Sequence, residues 1–432
     1  MTQNNHPFAC SEQLLARALK TIPLGTQTFS KSHKVYPHGI SPFYAARAKG
    51  SHLWDADENQ YIDFVSSLCA ITLGYQDPDV NTAVRAQMEK GSLFSLPHRI
   101  EIEVAESICK MVPCAEMVRF GKNGSDATSG AVRLARAFTG RDRVAVCGYH
   151  GWQDWYIGST SRNLGVPKVV QELTHSFKFN NLESLHKLLK TQKGEFACIV
   201  MEAMNTEEPA PNFLEGVQAL AREHGAVFIL DETITGFRFS KGGAQELFNI
   251  TPDLATFGKG LSNGYPLSAI AGRADIMGLM EDIFFSFTMG SETLSLAAAK
   301  ATLEKINREP VIEQLKENGN RVISGVKECI TRHGAQHIFS VSGHPSWSFL
   351  NIKDIKPYTN WEIRTYLFQE MFKRQILMLG AHNMSYAHTN KDISHLLWAY
   401  DEILPLVKQV IAERSLLEKL NCEPLVPLFR VR

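Results

Sequence analysis

Between about residues 115 and 272, short apolar β-rich runs alternate with longer stretches whose apolar residues recur at helical spacing, which is how a parallel α/β sheet reads. The runs are RVAVCGY (143–149), FACIVME (196–202), AVFILDE (226–232) and LSAIAG (267–272), with DLATF (253–257) as a further short buried strand. Between them FLEGVQALAREHG (213–225) has helical periodicity and stops on a glycine. From about residue 310 the pattern becomes helix, strand, helix, which predicts a second, smaller domain running to the C-terminus. The first 50 residues, a helical SEQLLARALKTI followed by a loop, read as an arm joining the two.

At 432 residues, the chain has room for two or three domains. Lys+Arg and Asp+Glu both total 45, so there is no electrostatic footprint for nucleic acid or an anionic membrane. The polar start and the lack of any bilayer-length apolar run lead us to expect a cytosolic protein. The eight cysteines are scattered without a Cys-x-x-Cys pair and mostly sit in apolar runs, as reduced core residues do.

The chemistry gathers where the strands end. Ligands of an open parallel sheet sit outside the carboxyl ends of its strands. Tyr149, Glu202 and Asp231 fall at that end of their runs, and Lys259, between two glycines in TFGKGLSNGYPLSA, follows DLATF in the same way. A surface turn is the plain alternative for Lys259. In KNGSDATSGAVRLARAFTG, Gly124, Ser125 and Asp126 open a helix with an apolar face of Val132, Leu134, Ala135 and Phe138. Its first N–H groups and positive dipole end suit a phosphate, with a plain N-cap by Ser125 as the alternative. A lysine, an aspartate, an aromatic ring and a phosphate cradle are together what pyridoxal 5'-phosphate requires: the lysine forms a Schiff base, and the aspartate keeps the pyridine nitrogen protonated.

The stretch from LDETITGFRFSKGG to ATFGKGLSNGYPLSAIAG resembles the core signature of the class III (ω-type) aminotransferases, and GSDATSGAVRLARAFTGRDRV, YHGW and SYAHT extend the likeness over about residues 11–404. Within the family it also resembles glutamate-1-semialdehyde 2,1-aminomutase. The resemblance implies an α/β chain of PLP-dependent transferase fold type I, with a large domain on a mostly parallel sheet and a small α+β domain formed by the termini. The expected division is 1–60 for the arm and part of the small domain, 61–310 for the large cofactor domain and 311–432 for the C-terminal small domain. It further implies a homodimer with shared active sites, Gly124 and Ser125 on the phosphate, Tyr149 stacked on the pyridine ring and Asp231 on its nitrogen. Lys259 would be the catalytic lysine, Thr233 would stand where relatives usually have valine, Glu202 would lie near the cofactor, and Thr288 would reach the neighbouring subunit's phosphate.

Departures from the mutase bear on the substrate. Lys31 in TFSK stands where the mutase has an arginine for the substrate carboxylate, and a lysine cannot make the same planar fork. Gly380 stands in place of a mutase glutamate, and the loop after YHGW is shorter than the mutase's gating loop. The expected activity is therefore transamination from an amino donor such as glutamate to an aldehyde or ketone acceptor such as a keto-sugar or a biosynthetic intermediate, with Lys31 and Trp152 as substrate residues and His382 and Asn383 on a polar rim. The alternatives are the aminomutase itself and a non-catalytic family member, the latter opposed by the presence of both Lys259 and Asp231.

Overall fold

The structure, a computed structural model, describes residues 7–427. It divides into two compact units. The larger comprises Cys69–Thr72 and Pro78–Glu313 and is built on a seven-stranded sheet. Across the sheet the strands run Met117–Gly121, Ser268–Gly272, Leu254–Phe257, Val227–Asp231, Phe196–Met201, Arg143–Cys147 and Thr174–Ser176.

From Leu254–Phe257 to Thr174–Ser176 every pairing is parallel, and the strands Leu254–Phe257, Val227–Asp231 and Phe196–Met201 are wholly buried and largely apolar, as strands covered on both faces must be, while the edge strand Thr174–Ser176 is polar and partly exposed. Ser268–Gly272 instead pairs antiparallel with both neighbours, although its pattern reads like the rest. The connection 258–267 is too short for a crossover helix, so the chain turns back on itself.

The helix Gly124–Thr139 packs on this sheet through Ala127, Ala131, Val132, Leu134 and Ala135, and Gly140 ends it with φ +65°. Phe138, expected on that buried face, is 43% exposed and lies under the Arg273 guanidinium, 5.9 Å from its ring centre. Small alanines take its place because the helix lies close to the strands.

Of the described residues, the smaller unit contains 7–68, Leu73–Asp77 and 314–427. It holds a four-stranded sheet in the order Ala45–Lys49, His52–Asp55, Gln60–Asp63, Ile376–Leu377, and a three-stranded sheet of Phe339–His344, Trp347–Ile352 and Ala381–Asn383. The His52–Asp63 hairpin is tied by Asp55, whose Oδ1 accepts the N–H groups of Asp57 and Asn59 at 3.0 and 2.8 Å. Capping boxes start the helices Asn360–Lys373 and Asn390–Ala412. No helix among the described residues is long and apolar enough to cross a membrane.

Candidate active site

Lys259 leaves the strand Leu254–Phe257 and opens a short 3-10 turn, Lys259–Ser262. Its φ is +43°, a left-handed conformation that a residue with a side chain keeps only where its surroundings impose it. The flanking glycines serve close packing. A Cβ on Gly260 would lie 2.4 Å from Thr72 Oγ1, and one on Gly258 would lie 3.3 Å from Thr233 Cγ2. Thr72 is held in turn by buried Arg238, whose Nη2 donates to Thr72 Oγ1 at 3.0 Å and to the Cys69 carbonyl at 3.1 Å. Burial pushes the Lys259 amine below the usual lysine range; the Arg238 charge adds to this, against the opposing effects of Cys69, Glu202 and Asp231.

Asp231 ends the neighbouring strand, is 4% exposed and is surrounded by donors. Its Oδ1 accepts from Thr233 Oγ1 (2.6 Å), Thr233 N–H (3.1 Å) and Thr256 Oγ1 (3.1 Å), and its Oδ2 from His150 Nδ1 (2.8 Å). Burial alone would raise this carboxyl; the hydrogen bond and charge of His150, with the bonds from Thr233, outweigh it and hold Asp231 below the ordinary carboxylate range. Glu202, just past the next strand, goes the other way. Burial and the Asp231 charge push its carboxyl up, against partial relief from His150, the Asn205 amide at 3.0 Å and Lys259.

The turn after Arg143–Cys147 carries Tyr149 and His150. The His150 Nε2 faces the Cys147 carbonyl at 3.1 Å, and its ring stands edge-on to Tyr156 at 5.4 Å. Tyr149 also stands edge-on to Tyr156, at 5.5 Å, and is 49% exposed. Gly151 (φ +106°) is a position only glycine fills, because a Cβ there would lie 2.3 Å from Ser125 Oγ. That hydroxyl accepts the Trp152 N–H at 3.3 Å, so the turn rests on the start of the helix Gly124–Thr139. The helix is capped by Asn123, which exchanges hydrogen bonds with Asp126 in a capping box, and Ser125 lies within the first turn rather than at the N-cap.

Residues 35–356 match the family described as Aminotransferase class-III. The chain belongs to that family. This class-III aminotransferase is 31% identical over 414 residues to 3-aminobutyryl-CoA aminotransferase of Cloacimonas acidaminovorans (strain Evry), spanning 94% of this chain and 99% of the relative. It is 33% identical over 429 residues to glutamate-1-semialdehyde 2,1-aminomutase of Syntrophobacter fumaroxidans (strain DSM 10017 / MPOB), spanning 93% and 99%. Among solved structures, the PLP internal aldimine form of the Sphingopyxis sp. MTA144 FumI protein aligns with a TM-score of 0.87 at 28% identity, over 96% of this chain and 98% of the other. The fold is PLP-dependent transferase fold type I, and the family's cofactor is pyridoxal 5'-phosphate. The residues present fit that group. The amides of Gly124 and Ser125 stand at a helix start where a Cβ on Gly124 would come 3.1 Å from Thr233, and a partly buried lysine and a donor-saturated carboxylate share one sheet edge.

Of the residues expected from the sequence, Gly124, Ser125, Tyr149, Glu202, Asp231, Thr233 and Lys259 all lie in the larger unit, around the carboxyl ends of its strands. Trp152 is 64% exposed on the same turn as Tyr149. Thr288 is exposed beside Phe287 and Met289, and among the described residues no hydrogen bond ties it to Asp231 or Lys259. Lys31 is exposed in the smaller unit, lining a cavity of about 460 Å³ together with Tyr36, Asp63 and Tyr75. His382 is not on a rim. It is fully buried between Ser348 Oγ (3.0 Å) and Tyr400 OH (2.8 Å), and Asn383 is buried with its amide on the Val65 carbonyl. Sequence reasoning passed over His150, although it sits between two motif residues in YHGW, because its contact with Asp231 spans an intervening strand. Thr256 and Arg238 were missed for a similar reason.

Proposed function

We propose that this chain is a ping-pong aminotransferase that moves an amino group from a small donor, glutamate by family habit, to an aldehyde or ketone acceptor. The carrying observation is Lys259, held at φ +43° with its basicity depressed, on the sheet edge shared by the four-donor carboxylate of Asp231. Bound pyridoxal 5'-phosphate supplies an electron sink for charge developing at the substrate carbon. In this reading Lys259 holds the cofactor and then, with its lowered pKa, takes the substrate's α-proton and returns it. Asp231 holds a proton on the ring nitrogen, and Gly124 and Ser125 receive the phosphate. Tyr149 and Thr233 flank the ring, and Glu202 stands beside it. Lys31 and Trp152 are assigned to substrate.

A homodimer is part of the same proposal, with Thr288 offered to a neighbouring copy. It is supported by apolar residues in the larger unit that a monomer would leave in water, among them Phe284 at 83% exposure, Ile102 and Met117. The eight free cysteines favour a reducing compartment, the cytosol.

The 33% identity to an aminomutase keeps one second reading, intramolecular transfer to 5-aminolevulinate. A single-turnover assay separates the two. Glutamate or another small amino donor alone should release a stoichiometric keto acid, and glutamate-1-semialdehyde alone should give no 5-aminolevulinate. Efficient 5-aminolevulinate formation without a donor would restore the mutase.

A further inference from the structure

The shortest of the four bonds to Asp231 comes from the Thr233 hydroxyl, at 2.6 Å. Packing does not demand that hydroxyl. Its methyl, Cγ2, fills the narrow space between Gly124 and Gly258, where added Cβ atoms would stand 3.1 and 3.3 Å away. A valine would fill the same space, and the Thr233 N–H would still bond Oδ1. What the hydroxyl adds is electrical. A donor on an ionised carboxylate stabilises its charge and makes it a weaker base. Asp231 carries two further donors besides those of Thr233, from Thr256 and His150, so the hydroxyl loads a carboxylate already well satisfied.

We infer that Thr233 is a tuning residue whose hydroxyl weakens Asp231 as a partner for a cationic ring nitrogen while stabilising that carboxylate in the protein without cofactor. The inference rests on the reading that Asp231 pairs with the pyridine nitrogen. Its signature is a pair of effects of opposite sign. Removing the hydroxyl leaves the cofactor-free protein with a less satisfied buried carboxylate, and gives the bound cofactor a more basic partner. A purely structural role would weaken both states together.

The test uses full-length protein stripped of pyridoxal 5'-phosphate and titrated with it, followed by tryptophan fluorescence and by thermal unfolding. Thr233→Val should unfold at a lower temperature than wild type when cofactor-free, yet bind pyridoxal 5'-phosphate about tenfold more tightly, the scale of one hydrogen bond to an ionised group. Thr233→Ser, which keeps the hydroxyl and loses only the packed methyl, should bind pyridoxal 5'-phosphate with wild-type affinity. Thr256→Val, which removes the 3.1 Å bond to the same oxygen, should move affinity in the same direction by less and serves if Thr233→Val does not fold. Unchanged or weaker binding by the valine variants, or a serine variant that follows valine, overturns the inference. Asp231→Asn distinguishes the two levels. If it weakens cofactor binding while Thr233→Val changes nothing, only the tuning role fails; if it leaves binding intact, the pairing reading fails as well.

Discussion

Two buried histidines, one in each unit, sit among very different hydrogen-bond partners. His382 lies between two hydroxyls, Ser348 and Tyr400. Each hydroxyl can donate or accept, so a neutral ring is satisfied in either tautomer, and burial pushes its pKa down to about 4. His150 lies between two oxygen acceptors, the Asp231 carboxylate and the Cys147 carbonyl. Both of its hydrogen bonds are made only with a proton on each nitrogen. One ring is thus built to stay neutral. The other sits against the Asp231 carboxylate, on the sheet edge proposed above to receive the cofactor.

The sharpest way to break this contrast is at its centre. Lys259→Ala should abolish turnover, by about ten-thousandfold as expected when a general base and nucleophile are both lost. Borohydride treatment of wild type should attach the cofactor to a peptide containing Lys259; a label on another lysine refutes the assignment. Asp231→Asn keeps the shape and removes the charge. Cofactor affinity should fall, and half-reaction rates should drop by about 100- to 1000-fold, the range for removing one preorganised electrostatic partner. Near-native turnover would detach Asp231 from the chemistry.

The histidines then test each other. His150→Gln should lower the melting temperature and shift the dissociation constant for pyridoxal 5'-phosphate, because it removes the strongest stabilising influence on the Asp231 carboxylate. His382→Gln should reduce stability by about 1–3 kcal/mol, the cost of disturbing a buried hydrogen-bonded pair, and leave the dissociation constant for pyridoxal 5'-phosphate unchanged. If His382→Gln shifted cofactor binding as much as His150→Gln, the contrast would collapse.

The contrast also has a pH dependence. His382 and His388 are each pushed by burial to about 4 in the folded chain, against about 6.5 when unfolded. The unfolded chain therefore binds these protons first as pH falls. Stability present above about pH 6.5 should be lost progressively toward pH 4, and the loss should be shallower in His382→Gln. Denaturant midpoints measured between pH 7 and 4.5 check this, and parallel profiles for the two proteins would speak against it.

Strand positions in the larger unit were legible because fully buried parallel strands are unbroken apolar runs, and their polar ends announced Tyr149, Glu202, Asp231 and Lys259 as residues of one edge. The helix Gly124–Thr139 was legible from its glycine stop and its periodicity, although Phe138 was placed on the wrong face. The His52–Asp63 hairpin escaped notice because its turn is made by Asp55 side-chain bonds and not by an Asn-Gly pair.

What the sequence determined by itself is local in origin: element type, the residues at strand ends, and the aminotransferase signature from Asp231 to Lys259. Tertiary structure decided the rest, because it concerns groups far apart in the chain. His150 meets Asp231 across an intervening strand, and Ser268–Gly272 reverses direction only because its connection is short. His382 looks like a site residue in sequence and becomes a core residue once Ser348 and Tyr400 close around it. Thr72, held by Arg238, and Thr233 leave little room for side chains on the two glycines that flank Lys259, and no one-dimensional pattern records that crowding.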